Sequence, residues 1–206
     1  MDSSYWDAKF DTDDYIYTTV VNRFVKEYCE PLIAKQPQGK MIDLAGGEGR
    51  NAVWFSEQGW QSENIDWSKK ALSKSLKLAE ERGVADLHFA HIADATGFES
   101  VLTPVDIGVV AYLQVPQQDL ADALDTLVDN VRPGGHILGV WHARENLADG
   151  YGGPRDEAVL PSVASLTEIC ADLPVEIELL TNRDGQVQTK DGLKPSITVV
   201  LLARRL

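Results

Sequence analysis

Lys40-Met41-Ile42-Asp43-Leu44-Ala45-Gly46-Gly47-Glu48-Gly49-Arg50-Asn51 places a short apolar strand, a carboxylate, three glycines and a helix start in a single run. Glycines between a strand and a helix let the backbone turn sharply, and they let a ligand approach main-chain N–H groups that a Cβ would shield. The run therefore reads as a nucleotide-cofactor loop. Gly47-Glu48-Gly49-Arg50-Asn51-Ala52 also satisfies G-x-G-x-x-G/A, so the loop leaves more than one nucleotide-bearing cofactor open.

Upstream, apolar residues at three- and four-residue spacing (Val21, Phe24, Val25, Tyr28, Leu32) predict a helix over Val20–Lys35. Met41–Leu44 is the first strand. A short helix follows over Asn51–Gln58, with Val53, Trp54 and Phe55 inward and Gly59 as its stop. The second strand spans about Gln61–Ile65 and ends in Asp66. Ser68 caps a helix running to Arg82, with Ala71, Leu72, Ser75, Leu76 and Ala79 as its buried stripe and Gly83 as its C-cap. Strand three is Leu87–Ile92, ending near Asp94, and the β-branched run Val105–Ala111 is a central parallel strand.

Asp119–Asn130 reads as a helix through Leu120, Ala123, Leu124, Leu127 and Val128. Arg132-Pro133-Gly134-Gly135 then turns into a strand over His136–Trp141. Beyond a short helical stretch at Thr167–Leu173, Val175–Leu180 and Ile197–Ala203 form an antiparallel strand pair. Asp184-Gly185 and Asp191-Gly192-Leu193-Lys194-Pro195 supply turn residues for a loop or an extra hairpin between them. The whole is an α/β chain: a single Rossmann-like, doubly wound, mostly parallel seven-stranded sheet with an antiparallel C-terminal strand. Residues 1–35 form a helical lead-in and lid, and residues 36–206 the cofactor-binding domain.

A length of 206 residues suits one domain and leaves little chain for the second unit that an NAD-dependent dehydrogenase needs. Five β/α units followed by an antiparallel pair also depart from the paired β-α-β-α-β halves of a dinucleotide-binding domain. A net charge of −13 disfavours a nucleic-acid partner, because phosphate backbones are bound through clustered Lys and Arg. The acidic surplus is read as solubility, although it would also attract a cationic ligand. Cys29 and Cys170 stand alone, so neither a metal site nor a disulfide framework is expected. The start Met1-Asp2-Ser3-Ser4-Tyr5-Trp6-Asp7 has no signal-peptide pattern, and no apolar run approaches a membrane span. The expectation is a cytoplasmic protein, monomer or homodimer, without a membrane partner.

Ile42-Asp43-Leu44-Ala45-Gly46-Gly47-Glu48-Gly49, then Asp66, Asp94-Ala95 and Arg132-Pro133-Gly134-Gly135, resemble in order the landmarks of class I S-adenosylmethionine-dependent methyltransferases, over nearly the whole chain. Tyr5-Trp6-Asp7, Gly47 to Trp54 and Gly152-Gly153-Pro154 are similar to small bacterial enzymes of the tellurite-resistance and thiopurine methyltransferase type. Two positions depart from that pattern. Gly46 stands where a Cys is common, and Tyr17-Thr18-Thr19 stands where a Tyr-Gly pair is usual.

The resemblance implies a cofactor site. Gly46, Gly47 and Gly49 would let the homocysteine part of S-adenosylmethionine lie against the main chain, and Asp43 would hold its ammonium. Arg50 either pairs with the cofactor carboxylate or caps structure. Asp66 would accept both ribose hydroxyls, and Trp67 either covers the adenine or packs. Asp94 and the backbone of Ala95 would meet the adenine edge. Tyr112, Leu113 and Gln114 follow the central strand at the carboxyl edge of the sheet, where ligands of open α/β folds collect, and so border the methyl group. Tyr112 and His142 are the candidate catalytic residues, each with a structural alternative as a wall or strand-end residue. Tyr5, Trp6, Tyr15 and Tyr17 either form an aromatic lid or pack on the sheet.

The expected function is methyl transfer from S-adenosylmethionine to a small-molecule acceptor such as a thiol or metalloid. Gln114-Val115-Pro116 stands where an Asn-Pro-Pro-Tyr-type motif would mark adenine or glutamine nitrogen methylation. An NAD(P)-dependent oxidoreductase and a non-catalytic cofactor-binding protein on the same fold are the alternatives.

Overall fold

A computed structural model describes residues 3–206; Met1 and Asp2, the first two residues of the expected lead-in, lie outside the described residues. Seven strands, numbered along the chain, form one sheet. They are β1 (Lys40–Leu44), β2 (Gln61–Asp66), β3 (His88–Ile92), β4 (Val105–Ala111), β5 (Val131–His142), β6 (Val175–Thr189) and β7 (Gly192–Arg205). Their spatial order is β3-β2-β1-β4-β5-β7-β6. The first five pair in parallel, and β7 runs antiparallel between β5 and β6. The strand order reverses between β1 and β4, which opens a crevice at the carboxyl ends of those two strands.

Helices α1 (Ser3–Phe10), α2 (Arg23–Lys35), α3 (Arg50–Glu57), α4 (Lys69–Glu81), α5 (Gln117–Asn130), α6 (Asn146–Asp149) and α7 (Val163–Ala171) cover the sheet. On one face Leu120, Leu124 and Leu127 of α5 and Leu166 of α7 meet Ile42, Leu44 and Val110. On the other, Phe24, Val25 and Cys29 of α2 and Phe55 of α3 meet Met41, Val109 and Val140. Each such side chain contributes about 1.5–3 kcal/mol by leaving water. Among the described residues no helix is long and apolar enough to cross a membrane. Cys29 and Cys170 are both free and buried.

Several sequence expectations are corrected. The lead-in contains an additional helix, α1, and the expected Val20–Lys35 helix begins at Arg23, because Asn22 caps it by accepting hydrogen bonds from Phe24 N and Val25 N. Leu76 is 44% exposed, and its place in the buried stripe of α4 is taken by Leu78. The run Arg132-Pro133-Gly134-Gly135 is an irregular opening of β5 rather than a turn before it; the pairing with β4 shifts register there. Helix α7 starts at Val163, set by a capping box in which Ser162 and Ser165 each accept the other's backbone N–H. Asp184-Gly185 is no turn, since β6 and β7 pair without interruption from Asp184↔Ile197 to Thr189↔Gly192 as one long hairpin.

Candidate functional site

The glycine loop descends from the end of β1 into α3, and its geometry follows from what packs against it. A Cβ at Gly46 would lie 2.1 Å from Asn64 Oδ1 and 2.6 Å from Asp43 Oδ2. Any larger residue at 46, where the resemblance expects Cys, would have to displace these two side chains. Gly49 is left-handed (φ 81°), and a Cβ there would sit 2.0 Å from Ser75 Oγ of α4. Two non-glycine residues share the left-handed region, Ala45 (φ 53°) and Tyr112 (φ 65°). They end β1 and β4, so strained backbone, costing about 1–3 kcal/mol per residue, flanks the crevice on both sides.

Asp43 is fully buried on the α2–α3 side of the sheet, and neither carboxylate oxygen has a hydrogen-bond partner; Asn64 Oδ1 has none either. Burial pushes the Asp43 pKa up to about 7, although Asn51, Arg50 and the Ala52 N–H favour its ionised form. Unpartnered buried acceptors are costly, and a carboxylate pair of lone oxygens beside an amide oxygen suits a cationic donor.

Asp66 ends β2 and is 8% exposed. Its Oδ2 accepts Gly47 N–H at 3.0 Å and its Oδ1 accepts Ser68 N–H at 2.9 Å, while burial raises its pKa against those bonds. A carboxylate offers about four lone-pair positions, so each oxygen retains one for a further donor. Trp67 lies half-buried next in the chain. Asp94 is exposed, and its Oδ1 accepts both the Thr96 N–H (2.9 Å) and the Thr96 hydroxyl (2.8 Å); Ala95 packs partly against the core.

Across the crevice, the Tyr112 and His142 rings stack at 4.9 Å with a 38° tilt, and the Arg50 guanidinium lies 5.9 Å from the Tyr112 ring. Gln114 locks this corner: its Oε1 accepts His142 N–H at 2.8 Å, and its Nε2 donates to Val159 O at 2.6 Å. Gly153 approaches the imidazole so closely that a Cβ would lie 2.7 Å from it. The buried His142 Nδ1 has no partner, and burial lowers the pKa of the ring, keeping it neutral near pH 7. The structure thus brings together Asp43, Gly46, Gly47, Gly49, Arg50, Asp66, Tyr112 and His142, and puts Asp94 on an exposed turn after β3, next to the strand end that pairs with Asp66.

Of the four aromatics expected to form a lid, Trp6 and Tyr17 hold the Lys9 ammonium, 4.4 and 5.2 Å from their ring centroids, and Tyr5 meets Trp6 edge-on. Phe10, which the sequence reading did not single out, lies against Gly47. Tyr15 reaches the side of α4, its hydroxyl 3.3 Å from Glu81.

Sequence reasoning also missed a buried polar chain behind the loop. Asn64 Nδ2 donates to Gly47 O and to Ser75 Oγ; Ser75 meets His88 Nε2, and His88 Nδ1 meets Ser62 Oγ, which meets Ser56. The signal was present in β2, where Gln61-Ser62-Glu63-Asn64 is polar in a strand flanked on both edges by parallel neighbours, a position that normally reads as apolar.

The architecture is that of class I S-adenosylmethionine-dependent methyltransferases. Over 97 residues the chain is 32% identical to the tRNA 5-carboxymethoxyuridine methyltransferase of Escherichia coli (strain K12), covering 47% of this chain and 37% of that protein. The chain therefore spans well under half the length of the curated relative it matches. No family model matches. A solved structure described as the conversion of a disulfide bond into a thioacetal group during echinomycin biosynthesis superposes with a TM-score of 0.77 at 18% identity, covering 98% of this chain and 91% of that one. TehB from Haemophilus influenzae gives 0.72 at 15% identity, over 99% of this chain and 67% of that one. A methyltransferase from Geobacter sulfurreducens in complex with S-adenosyl-L-homocysteine gives 0.67 at 14%, over 98% of each. At these identities the likeness is one of fold.

Proposed function

We propose that this chain is an S-adenosylmethionine-dependent methyltransferase acting on a small-molecule acceptor, of thiol, metalloid or similar kind. Residues 36–206 hold the cofactor and residues 1–35 cover it. The observation that carries the reading is the convergence of the unpartnered Asp43 carboxylate and Asn64 Oδ1 on Gly46, three buried acceptors that an α-ammonium would satisfy. The free lone pairs of Asp66 suit two ribose hydroxyls, and Trp67, Asp94 and Ala95 are assigned to the adenine, Asp94 following the strand end that pairs with Asp66. Arg50 is placed for the cofactor carboxylate, beside the main chain of Gly47 and Gly49.

The bound cofactor supplies a methyl group already activated by its sulfonium. The protein's part is then alignment and water exclusion. Tyr112 and His142 form the wall on the acceptor side, held by Gln114 and Gly153. An anionic or soft acceptor needs no strong base, and the neutral His142 imidazole is available to accept a proton from a protic one. A second reading, a tRNA uridine carboxylate as acceptor, draws on the relative's name alone, and the net charge of −13 weighs against it.

The test is calorimetry with S-adenosylhomocysteine and with NAD, followed by S-adenosylhomocysteine formation over a panel of thiols, selenite, tellurite, small phenols and bulk tRNA. We expect S-adenosylhomocysteine to bind, NAD not to bind, and turnover to be confined to small acceptors. Binding of NAD alone rejects the cofactor reading, and turnover with tRNA alone rejects the small acceptor.

A further inference from the structure

Glu48 is the middle residue of the glycine loop, and it is 7% exposed. Its Oε1 accepts the Ile16 N–H at 3.0 Å and its Oε2 accepts the Tyr17 N–H at 2.9 Å. Lys74 of α4 pairs with Oε1 at 3.0 Å, and the same ammonium donates to Asp14 O at 2.6 Å and Thr12 Oγ1 at 2.9 Å. Nearer the N-terminus, Asp7 accepts from Ser68 Oγ at 2.6 Å and from Lys70 N–H at 3.3 Å, immediately beyond Asp66. The segment is thus bonded to both ends of the candidate site.

Tyr15 packs beside Val53, Leu78 and Ala79 and reaches Lys74 O and Glu81, and Asn22 N–H donates to Asn51 Oδ1. Between Ser3 and Val21 only Phe10 is fully buried, and that ring rests on Gly47. The Lys70–Asp11 pair is half-exposed at both ends and contributes little. A segment with so few buried side chains opens locally at low cost, so its charge-assisted bonds weigh heavily in its position.

We propose that Glu48 is a positioning residue that straps residues 7–22 across the glycine loop, so that the loop's conformation and the closure of the strap are one event. A ligand that settles the Gly47-Glu48-Gly49 backbone fixes the carboxylate on which Ile16 and Tyr17 hang. Release of the strap frees Phe10 from Gly47 and opens the loop to solvent. The ligand's identity rests on the methyltransferase reading, whereas the strap itself does not.

The experiment is amide hydrogen exchange on the full chain, wild type and Glu48→Gln, with and without S-adenosylhomocysteine, together with the ligand's dissociation rate. Without ligand, Glu48→Gln should speed exchange at Ile16 and Tyr17 at least about tenfold while β4 and α5 stay protected; with ligand, dissociation should quicken by a similar factor. Lys74→Met severs the same strap from α4 and should reproduce both effects if Glu48→Gln does not fold, and Lys70→Ala should leave both unchanged. Unchanged exchange at Ile16 and Tyr17 overturns the strap. Faster exchange with an unaltered dissociation rate overturns its coupling to the site. Failure of wild-type protein to bind S-adenosylhomocysteine rejects the cofactor reading instead, and the ligand-free exchange then decides the strap.

Discussion

Asp43 is a buried carboxylate whose desolvation costs stability unless a cation joins it. Burial with no hydrogen-bond partner lifts its pKa to about 7, so the carboxylate is only partly ionised at neutral pH. A cation bound there favours the ionised form. Affinity for S-adenosylhomocysteine should therefore rise about tenfold between pH 6 and pH 8, as the ionised fraction climbs from about one tenth to about nine tenths. Calorimetry in two buffers of different ionisation heat reads the proton released. An affinity flat across that range, or a slope that persists in Asp43→Asn, rejects the assignment. The groups facing Asp43 are Arg50, which favours ionisation, and Asp66, which opposes it, and the fully buried Cys29 thiol lies near enough for Asp43 to push its pKa upward. The positions of Asp43, Gly47 and Gly49 in one strand–glycine–helix run, and of Asp66 at the end of the next strand, were legible in the sequence because period and turn chemistry set them locally. Asn64, Ser75 and Glu48 were not, since their partners lie on other elements and no local spacing relates them.

At the scale of elements, boundaries depend on caps. Ser162 and Ser165 satisfy each other's backbone N–H groups at 3.1 and 2.9 Å, and so begin α7 several residues before the periodic apolar pattern does. Ser162→Ala should cost about 1 kcal/mol of unfolding free energy in urea titration. It should leave S-adenosylhomocysteine affinity unchanged, since α7 packs on the face of the sheet opposite Asp43. A loss of affinity would mean that α7 shapes the site. The β6–β7 hairpin teaches the complementary lesson. Asp184-Gly185 has turn chemistry, but β6 is the edge strand of the sheet, where one side needs no partner, and pairing with β7 carries these residues as strand. Composition sets a local preference there, and the ladder on the neighbouring strand overrides it.

For the whole molecule, the buried polar chain from Gly47 to Ser56 carries a pH-dependent term in stability through His88. His88, 3% exposed, is held neutral by burial with its pKa lowered to about 4 from 6.5. Between those two values the unfolded chain binds more protons than the folded one, so stability rises with pH across this window and is lost as pH falls toward 4. The loss attributable to His88 is on the order of 3 kcal/mol. Asp43, whose folded pKa is raised, contributes the opposite slope, so the measurement is the difference between wild type and His88→Gln in urea unfolding at pH 7 and pH 5. Identical pH slopes in the two proteins would reject the role of His88. The alternation of apolar strand and amphipathic helix, the glycine loop and the antiparallel end of the sheet were determined by the sequence itself, because period and turn chemistry are local properties of the chain. The tertiary structure alone decided that Asn64 joins Asp43 over Gly46, that Tyr112 stacks on His142, and that Glu48 holds the N-terminal segment. Each of those contacts joins residues on different strands, helices or segments, which the parallel register of β1 with β2 and of β4 with β5, and the packing of the N-terminal segment and α4 on the loop, bring within reach.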